Sequence, residues 1–255
     1  NYYGNVNDYE DVDADMFTAK IESDLTKNLK LTNITRLGKT SMNRVLTGMN
    51  TGSDGLRTNG SNNPKDWEVN RSRQGLDQDN KILANQSTLN WNVKTGAIEH
   101  DVVAGLEFLQ EEQDTKILAT QMPSQTPVTS WANLYHPDRN AAVPALMYNG
   151  GYTNGKTDTA AAYLFDTLKF GERFQLNGGV RVDYYDTEYD ELSVPRNGNA
   201  LVASKFATHD TLVSWKLGGL FKPTSFSSVY ASYAKSLTPA GSANFVLSGT
   251  GANSS

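Results

Sequence analysis

The stretch FQLNGGVRVDYYDTE, residues 174–188, decides the fold because its apolar residues recur at every second position. Val180 and Val182 fall on one face of an extended chain, whereas Arg181 and Asp183 fall on the other. A helix would need apolar recurrences at spacings of three and four, and this stretch lacks them. It is therefore predicted to be a β-strand with one apolar and one polar face.

The same two-residue period recurs along most of the chain. Further candidate strands are residues 13–25, 29–43, 80–93, 97–111, 156–169, 211–221 and 227–236. Each is at least as long as the roughly 9–11 residues with which a tilted strand crosses a bilayer. The pattern predicts about eight strands in all.

The connections between these strands alternate in length. Short turns are predicted at residues 26–28, 94–96, 171–172 and 223–225, and long polar connections at 44–79, 113–155 and 192–210. Compact soluble domains seldom hold loops longer than about 12–15 residues. Short turns on one rim and long loops on the other are typical of outer-membrane barrels. The predicted fold is therefore all-β, an antiparallel up-and-down transmembrane β-barrel, here a partial one.

Composition agrees with this interpretation and excludes other classes. The chain has 255 residues, 38% of them hydrophobic, a net charge of −5, no cysteine and a mean hydropathy of −0.53. Without cysteine there is no disulfide scaffold, thiolate metal site or cysteine nucleophile. Mild acidity argues against a nucleic-acid partner. No apolar run approaches the roughly 18 residues of a membrane-spanning helix.

No catalytic or metal-binding constellation is recognisable in the sequence. The three histidines, His100, His136 and His209, are far apart and lack metal-ligand spacing. Carboxylates recur in pairs, such as Glu111 with Glu112 and Asp183 with Asp186. On barrel strands they are expected to line the wet lumen, since no His, Ser or Cys stands in a catalytic relation to them. We expect no catalytic residue, no protein metal ligand and no enzymatic activity.

Two neighbouring stretches, KLGGLFKPT at 216–224 and SVYASYAKSLTPAG at 228–241, resemble adjacent barrel strands of the TonB-dependent siderophore receptors. Three other regions fit the same family: DMFTAKIESDLTKNLKLTNITRLGK at 15–39, AGLEFLQE at 104–111 and AYLFDTLKFGERFQLNGGVRVDYYD at 162–186. The details are most similar to the subgroup that takes up ferric catecholates or related siderophores. The long connections carry little of the resemblance.

The resemblance implies an outer-membrane receptor that imports ferric siderophores with energy from TonB. Its partners would be the siderophore, the TonB complex acting through a plug domain, and outer-membrane lipid. Plugged transporters of this class have 22 strands. We therefore expect residues 1–255 to be one partial barrel domain without the plug, and both ends to be cuts inside a longer protein.

The resemblance also implies a bulky ligand, often anionic and aromatic, that binds at the extracellular loops. Arginine supplies charge, and tyrosine and tryptophan supply flat, rigid contact area. The candidate contacts in the long connections are Arg57, Arg71, Arg73, Trp131, Tyr135, His136, Tyr148 and Tyr152. The protein would bind the organic chelator, so we expect no cofactor other than the iron inside the siderophore.

Two alternatives remain open at this point. One is a passive porin-type barrel without a plug. The other is a soluble secreted β-sandwich that binds a ligand, which would bury one face of each of two packed sheets.

Overall fold

The computed structural model describes residues 2–50, 55–120, 130–193, 200–240 and 246–247. Within these ranges the chain is built of β-strands, with one short 3-10 helix at Pro64–Asp66. The strands are β1 (Tyr9–Thr26), β2 (Leu29–Met49), β3 (Leu56–Arg57), β4 (Glu68–Thr95), β5 (Ile98–Ala119), β6 (Ser130–Asn133), β7 (Met147–Phe170), β8 (Phe174–Ser193), β9 (Val202–Thr224) and β10 (Ser227–Lys235). No helix of the described residues is long and apolar enough to cross a membrane.

All these strands join one antiparallel sheet in chain order. The order is β1-β2-β4-β5-β7-β8-β9-β10, and the short strands β3 and β6 both add to β4. Short turns occupy residues 27–28, 96–97, 171–173 and 225–226. In two of them Gly96 and Gly171 have φ angles of 63° and 62°, which glycine adopts without steric cost. The predicted up-and-down meander is confirmed, and the described residues do not form the two packed sheets of a sandwich.

The strands are longer than predicted at the end remote from the short turns. β4 begins at Glu68 and not at residue 80, β5 continues to Ala119, and β7 begins at Met147. Parts of the predicted connections 44–79, 113–155 and 192–210 are thus paired strand. The reason is that both faces are polar in these extensions, so the two-residue hydrophobic period disappears while the backbone hydrogen bonds continue.

The register gives the sheet two chemically different faces. On one face, Leu106 pairs with Ala162, which pairs with Val182. Leu106 and Val182 are 53% and 40% exposed, so this apolar face has no protein cover in the described chain. One residue further along their strands, Glu107 and Asp183 lie on the opposite face. We call the apolar side the outer face and the polar side the luminal face, as the alternation of a membrane barrel requires.

The apolar part of the outer face is a band of bilayer dimensions. It runs over residues 17–25 of β1, 98–108 of β5 and 174–184 of β8, lengths that match the roughly 9–11 residues of a tilted spanning strand. At the rim of short turns it ends in exposed aromatic rings: Trp91, Phe170, Phe174 and Phe221. An aromatic girdle therefore lies at the rim of the short turns.

The luminal face carries paired charges. Arg181 Nη2 lies 2.9 Å from Glu107 Oε1 and 2.7 Å from Asp183 Oδ1. The expectation that the paired carboxylates line the lumen is right for Asp183 and for Glu111, which lies on the same face of β5 as Glu107, and wrong for Glu112 and Asp186. Glu112 pairs with Lys81, and Asp186 pairs with Asp158, all on the outer face above the apolar band. Adjacent residues of a strand point to opposite faces of the sheet, so Glu111 and Glu112 cannot both face the lumen.

This assignment of faces predicts opposite reactivities for two adjacent positions. Leu106→Cys and Glu107→Cys are introduced singly into the full-length protein, cleared of any other cysteines. A membrane-impermeant maleimide should label Glu107→Cys in detergent at least fivefold faster than in the intact protein in membranes. Leu106→Cys should react with a lipid-soluble maleimide in membranes and remain blocked to the impermeant one. Equal labelling of Leu106→Cys by both reagents would contradict the lipid-facing assignment.

Candidate ligand-binding site

The strand extensions carry a small additional sheet beyond the apolar band. β3 pairs with β4 at Glu68 and Val69, and β6 pairs with β4 over residues 68–71. We call β3, β6 and residues 68–71 of β4 the apical sheet. The 3-10 helix is tied to it, because Asn133 Nδ2 donates to Lys65 O at 2.7 Å. The apical sheet stands at the rim of long connections, the extracellular rim of an outer-membrane barrel.

The centre of the apical sheet is an arginine stacked on a tryptophan. The guanidinium carbon of Arg57 lies 4.3 Å from the centroid of the Trp131 ring, within the range of a cation–π contact. Arg57 Nε and Nη2 each lie 2.7 Å from Glu68 Oε2. The Arg57 side chain is nevertheless 44% exposed. The result is a flat surface that presents an oriented cation and an aromatic ring.

A hydrogen-bond network keeps Glu68 ionised. Asn59 Nδ2 donates to Glu68 Oε2 at 2.8 Å. This hydrogen bond, followed by those from Arg57, lowers the pKa of Glu68 below its usual value of 4.5. A lowered pKa in the folded state means that the pairing is present at neutral pH and is lost only as the pH falls through that lowered value. Mild acidification should therefore leave Arg57 in place.

The alternation of side chains along β4 places this surface on the luminal side. Glu68 and Asn70 are an even number of residues away from Gln86 on β4, so their side chains lie on the same face as that of Gln86. Gln86 faces the lumen beside Glu107. Arg57 is opposite Glu68, and Trp131 is opposite Asn70, so both lie on that side. Because β4 is one unbroken strand from Glu68 to Thr95, the Arg57–Trp131 surface overlooks the luminal face.

Two further candidates follow Trp131 directly. Asn133 Oδ1 accepts hydrogen bonds from the backbone N–H groups of Tyr135 and His136, at 3.0 and 2.9 Å. This turn leaves both side chains exposed beside the apical sheet. The structure thus gathers Arg57, Trp131, Tyr135 and His136 in one region.

The other arginine candidates are buried. Arg71 is 3% exposed, and its Nη1 and Nη2 donate to Asp138 O at 3.1 Å and to Ser130 Oγ at 3.0 Å. The Arg73 side chain is 9% exposed and lies 3.8 Å from Asp8. Each of the two arginines is an odd number of residues away from the luminal Gln86 on β4, so both side chains lie on the outer face of that strand. They are not on the surface that overlooks the lumen.

The tyrosine candidates on β7 also lie on the outer face. Tyr148 donates a hydrogen bond to Asp77, which raises the pKa of the tyrosine above its usual value. Tyr152 is opposite Lys116, which in turn is opposite Asp77. The structure therefore separates Tyr148 and Tyr152 from the Arg57–Trp131 surface.

Sequence patterns missed the residues that orient Arg57. Glu68 and Asn59 belong to no motif, and a two-residue strand such as β3 has no hydrophobic period. The one available signal was the alternation of side chains between the two faces at the start of β4. Both faces are polar there, so the sequence does not show which residues share a face.

No group of three or more metal-ligating side chains within the described ranges could hold a metal ion. His100 Nδ1 lies 2.7 Å from Asp166 Oδ2 on the outer face, close to the rim of short turns. This contact joins β5 to β7.

The N-terminal segment, residues 2–8, packs on the segment that follows the apical sheet. Val6 N donates to Arg139 O at 3.0 Å, and Asn5 Nδ2 donates to Ala141 O at 3.0 Å. Asp8 fixes this segment to β2, since its carboxylate accepts from Thr47 N at 3.0 Å and Thr47 Oγ1 at 2.7 Å. It also accepts from Asn5 N at 2.8 Å.

Replacing Asp8 should therefore loosen this part of the rim. Asp8→Ala removes a carboxylate that is 9% exposed and leaves its donors and Arg73 unpaired, at a cost of about 3 kcal/mol. In the full-length protein, protease cleavage within residues 2–8 and 134–146 should become at least tenfold faster. Asp11→Ala, at an exposed position, is the control and should change nothing. Equal cleavage of wild type and Asp8→Ala would show that Asp8 does not hold the segment.

An antiparallel meander with a lipid-facing apolar band, a polar luminal face and a cationic aromatic surface at its rim defines the wall of an outer-membrane receptor barrel. The family model described as "TonB dependent receptor-like, beta-barrel" matches residues 1–255. The chain belongs to this family, whose members are barrels of the bacterial outer membrane.

Individual relatives agree with this assignment. The catecholate siderophore receptor Fiu of Escherichia coli K12 is 35% identical over 270 residues, which cover 100% of this chain and 34% of Fiu. The crystal structure of Fiu in its closed form matches with a TM-score of 0.87 at 34% identity, over 100% of this chain and 37% of that one. The siderophore receptor PiuA of Acinetobacter baumannii, at 22% identity and a TM-score of 0.75, covers 94% of this chain and 34% of PiuA and shares the fold. The chain thus spans about a third of the length of the curated relatives it matches, which are named as receptors and not as enzymes.

Proposed function

We propose that the whole protein is an outer-membrane receptor that binds ferric catecholate siderophores and imports them with energy from TonB. The observation that carries the proposal is the Arg57–Trp131 surface above the luminal face, with Arg57 exposed and Trp131 half-buried, in a chain that is 35% identical to a catecholate siderophore receptor. Relatives named as siderophore receptors favour this function over that of a passive porin.

The chemistry of the surface suits this ligand. A ferric catecholate presents flat aromatic rings and negative charge around an iron that the chelator already coordinates. Trp131 offers a stacking face, and the guanidinium of Arg57 offers charge and several N–H donors. Tyr135 and His136 would supply further contacts beside them. Iron would enter only inside the siderophore, so the proposal requires no protein metal ligand, no cofactor and no catalytic residue.

The rest of the transport cycle would depend on parts outside residues 1–255. We propose that a plug domain fills the lumen and meets luminal charges such as Arg181 and Glu107. TonB would act on that plug. Residues 1–255 would then contribute about eight strands of the wall, part of the ligand-capture rim and the contact with outer-membrane lipid, with no role for nucleic acid.

Uptake by the full-length protein tests the proposal. The gene is expressed in an iron-starved host that lacks its own catecholate receptors. Growth should be restored by a ferric catecholate and not by a ferric hydroxamate, and deletion of TonB should abolish the effect. Growth that persists without TonB would indicate a passive channel. Growth on neither chelator would contradict the proposed ligand class.

A further inference from the structure

An apolar patch interrupts the polar luminal face. It consists of four aliphatic side chains from three neighbouring strands: Ile34 of β2, Ile82 and Ala84 of β4, and Leu109 of β5. The two residues of β4 are an even number of residues away from the luminal Gln86, and Ile34 is opposite Gln86. Leu109 is two residues away from the luminal Glu107, so all four side chains face the lumen. We call them the luminal apolar patch.

The luminal apolar patch lines a hollow of about 290 Å³, and every residue of that lining belongs to the luminal face. The apolar surface continues to β1, because Met16 and Ile82 approach each other beside Gly38. A Cβ added to Gly38 would lie 2.9 Å from Ile82 Cγ2 and 3.4 Å from Met16 Cε. Met16 is 63% exposed and the patch itself is only half-buried. A lumen filled with water alone would leave this surface hydrated, which the hydrophobic effect disfavours.

An accessible cation stands beside the hollow. Arg36 lines it, is exposed, and lies opposite Ala84 in the register of β2 and β4. Arg36 forms no ion pair within the described ranges, although Glu107 lines the same hollow. Glu107 is instead paired with Arg181, at 2.9 Å. The hollow therefore offers aliphatic contact area together with one guanidinium that has no counter-charge.

We propose that the plug domain of the full-length protein packs on the luminal apolar patch, with an aliphatic side chain in the hollow and a carboxylate paired with Arg36. The occupant has to come from inside the barrel, because the patch faces the lumen and not lipid. Residues 1–255 cover 34% of Fiu, so most of a protein of that length lies outside them and can supply it. A guanidinium suits a carboxylate because it donates two parallel hydrogen bonds. The inference rests on the plug that the proposed function requires, and it adds the surface and the chemistry of the contact.

Photo-cross-linking of the full-length protein in outer membranes tests this inference. The photoreactive amino acid p-benzoylphenylalanine is incorporated in place of Ile82, and the linked peptides are identified by mass spectrometry. Position 82 should link to a plug-domain peptide that carries aliphatic and acidic residues. The same amino acid in place of Leu83, the next residue on β4 and on the outer face, should link to no plug peptide. A link from position 82 only to lipid, to another barrel strand or to another protein, or no link at all, would overturn the inference.

A second luminal position separates this inference from the proposed function. Val103 lies four residues from Glu107 on β5, outside the hollow but on the same face. If position 103 links to the plug and position 82 does not, the proposed patch contact is wrong and the plug remains. If neither position links to it, the proposed plug is wrong as well.

The role of Arg36 is tested in the same assay. Arg36→Glu should lower the yield of the link from position 82, per folded barrel, at least threefold, because the reversed charge repels the carboxylate of the plug. Arg36→Lys keeps the charge and should retain most of the yield. An unchanged yield in Arg36→Glu would overturn the pairing of Arg36 with a carboxylate.

Discussion

A valine at position 179 is expected to abolish assembly of the folded barrel. Gly179 lies on the luminal face of β8, and the ring of Phe165 from β7 covers it. A side-chain carbon added to Gly179 would collide with that ring and would lie 2.6 Å from the backbone oxygen of Leu164. The ring could turn away, but the paired strand cannot, so Gly179→Val should cost about 3 kcal/mol or more. Heat-modifiable mobility on gels should show folded full-length protein at less than a tenth of the wild-type amount.

The neighbouring glycine provides a matched control. A Cβ added to Gly178 would meet Leu217 Cδ1 at 3.4 Å and Lys216 O at 3.6 Å, which are ordinary contacts. Gly178 lies on the outer face, where an alanine meets lipid. Gly178→Ala should therefore assemble like the wild type, within about 0.5 kcal/mol. Equal losses at both positions would contradict the assignment of the two faces.

Removal of the indole of Trp131 should weaken ferric catecholate binding by the full-length receptor at least tenfold. Trp131→Ala deletes the stacking face and the ring on which Arg57 rests at 4.3 Å. Aromatic and arginine anchors of this kind often contribute 2 kcal/mol or more to a binding surface, and 1.4 kcal/mol is already tenfold. Trp131→Phe should retain part of the affinity. Isothermal titration of the purified receptor measures each Kd.

Trp91 is the control for this prediction. It is 46% exposed at the opposite rim, on the outer face and far along the chain from the apical sheet. Trp91→Ala should bind ferric catecholate like the wild type. If Trp131→Ala also binds like the wild type, ligand capture does not involve the apical sheet.

The membrane-spanning part of the fold could be predicted from sequence because lipid imposes a strict alternation there. Where Leu106 must face hydrocarbon and Glu107 must face the lumen, side-chain polarity records the face of every residue. Beyond the band both faces meet water, so a stretch such as residues 68–79 looks like a loop although β4 is paired throughout it. Backbone hydrogen bonds to the neighbouring strands continue β4 there, and these bonds do not depend on the polarity of the side chains.

The residue types of the candidate site could be chosen from the sequence, but their arrangement could not. The resemblance to siderophore receptors implied a ligand that is anionic and aromatic, and arginine and aromatic residues in the long connections were the candidate contacts. Whether Arg57 or Arg71 faces the lumen depends on the alternation of side chains along β4. That alternation can be applied to residues 68–71 only when β4 is known to begin at Glu68. The stacking of Arg57 on Trp131 joins two strands of two and four residues, and both are too short to produce a period.

Hydrogen–deuterium exchange of the full-length receptor, with and without saturating ferric catecholate, tests the central claim most directly. The claim is that the apical sheet captures the ligand. Peptides covering residues 56–71 and 130–136 should exchange at least threefold more slowly when the ligand is bound, while a peptide covering the spanning strand at 29–43 should not change. Protection confined to the outer-face tyrosines at 148–152, or no protection at 56–71 and 130–136, would contradict the account.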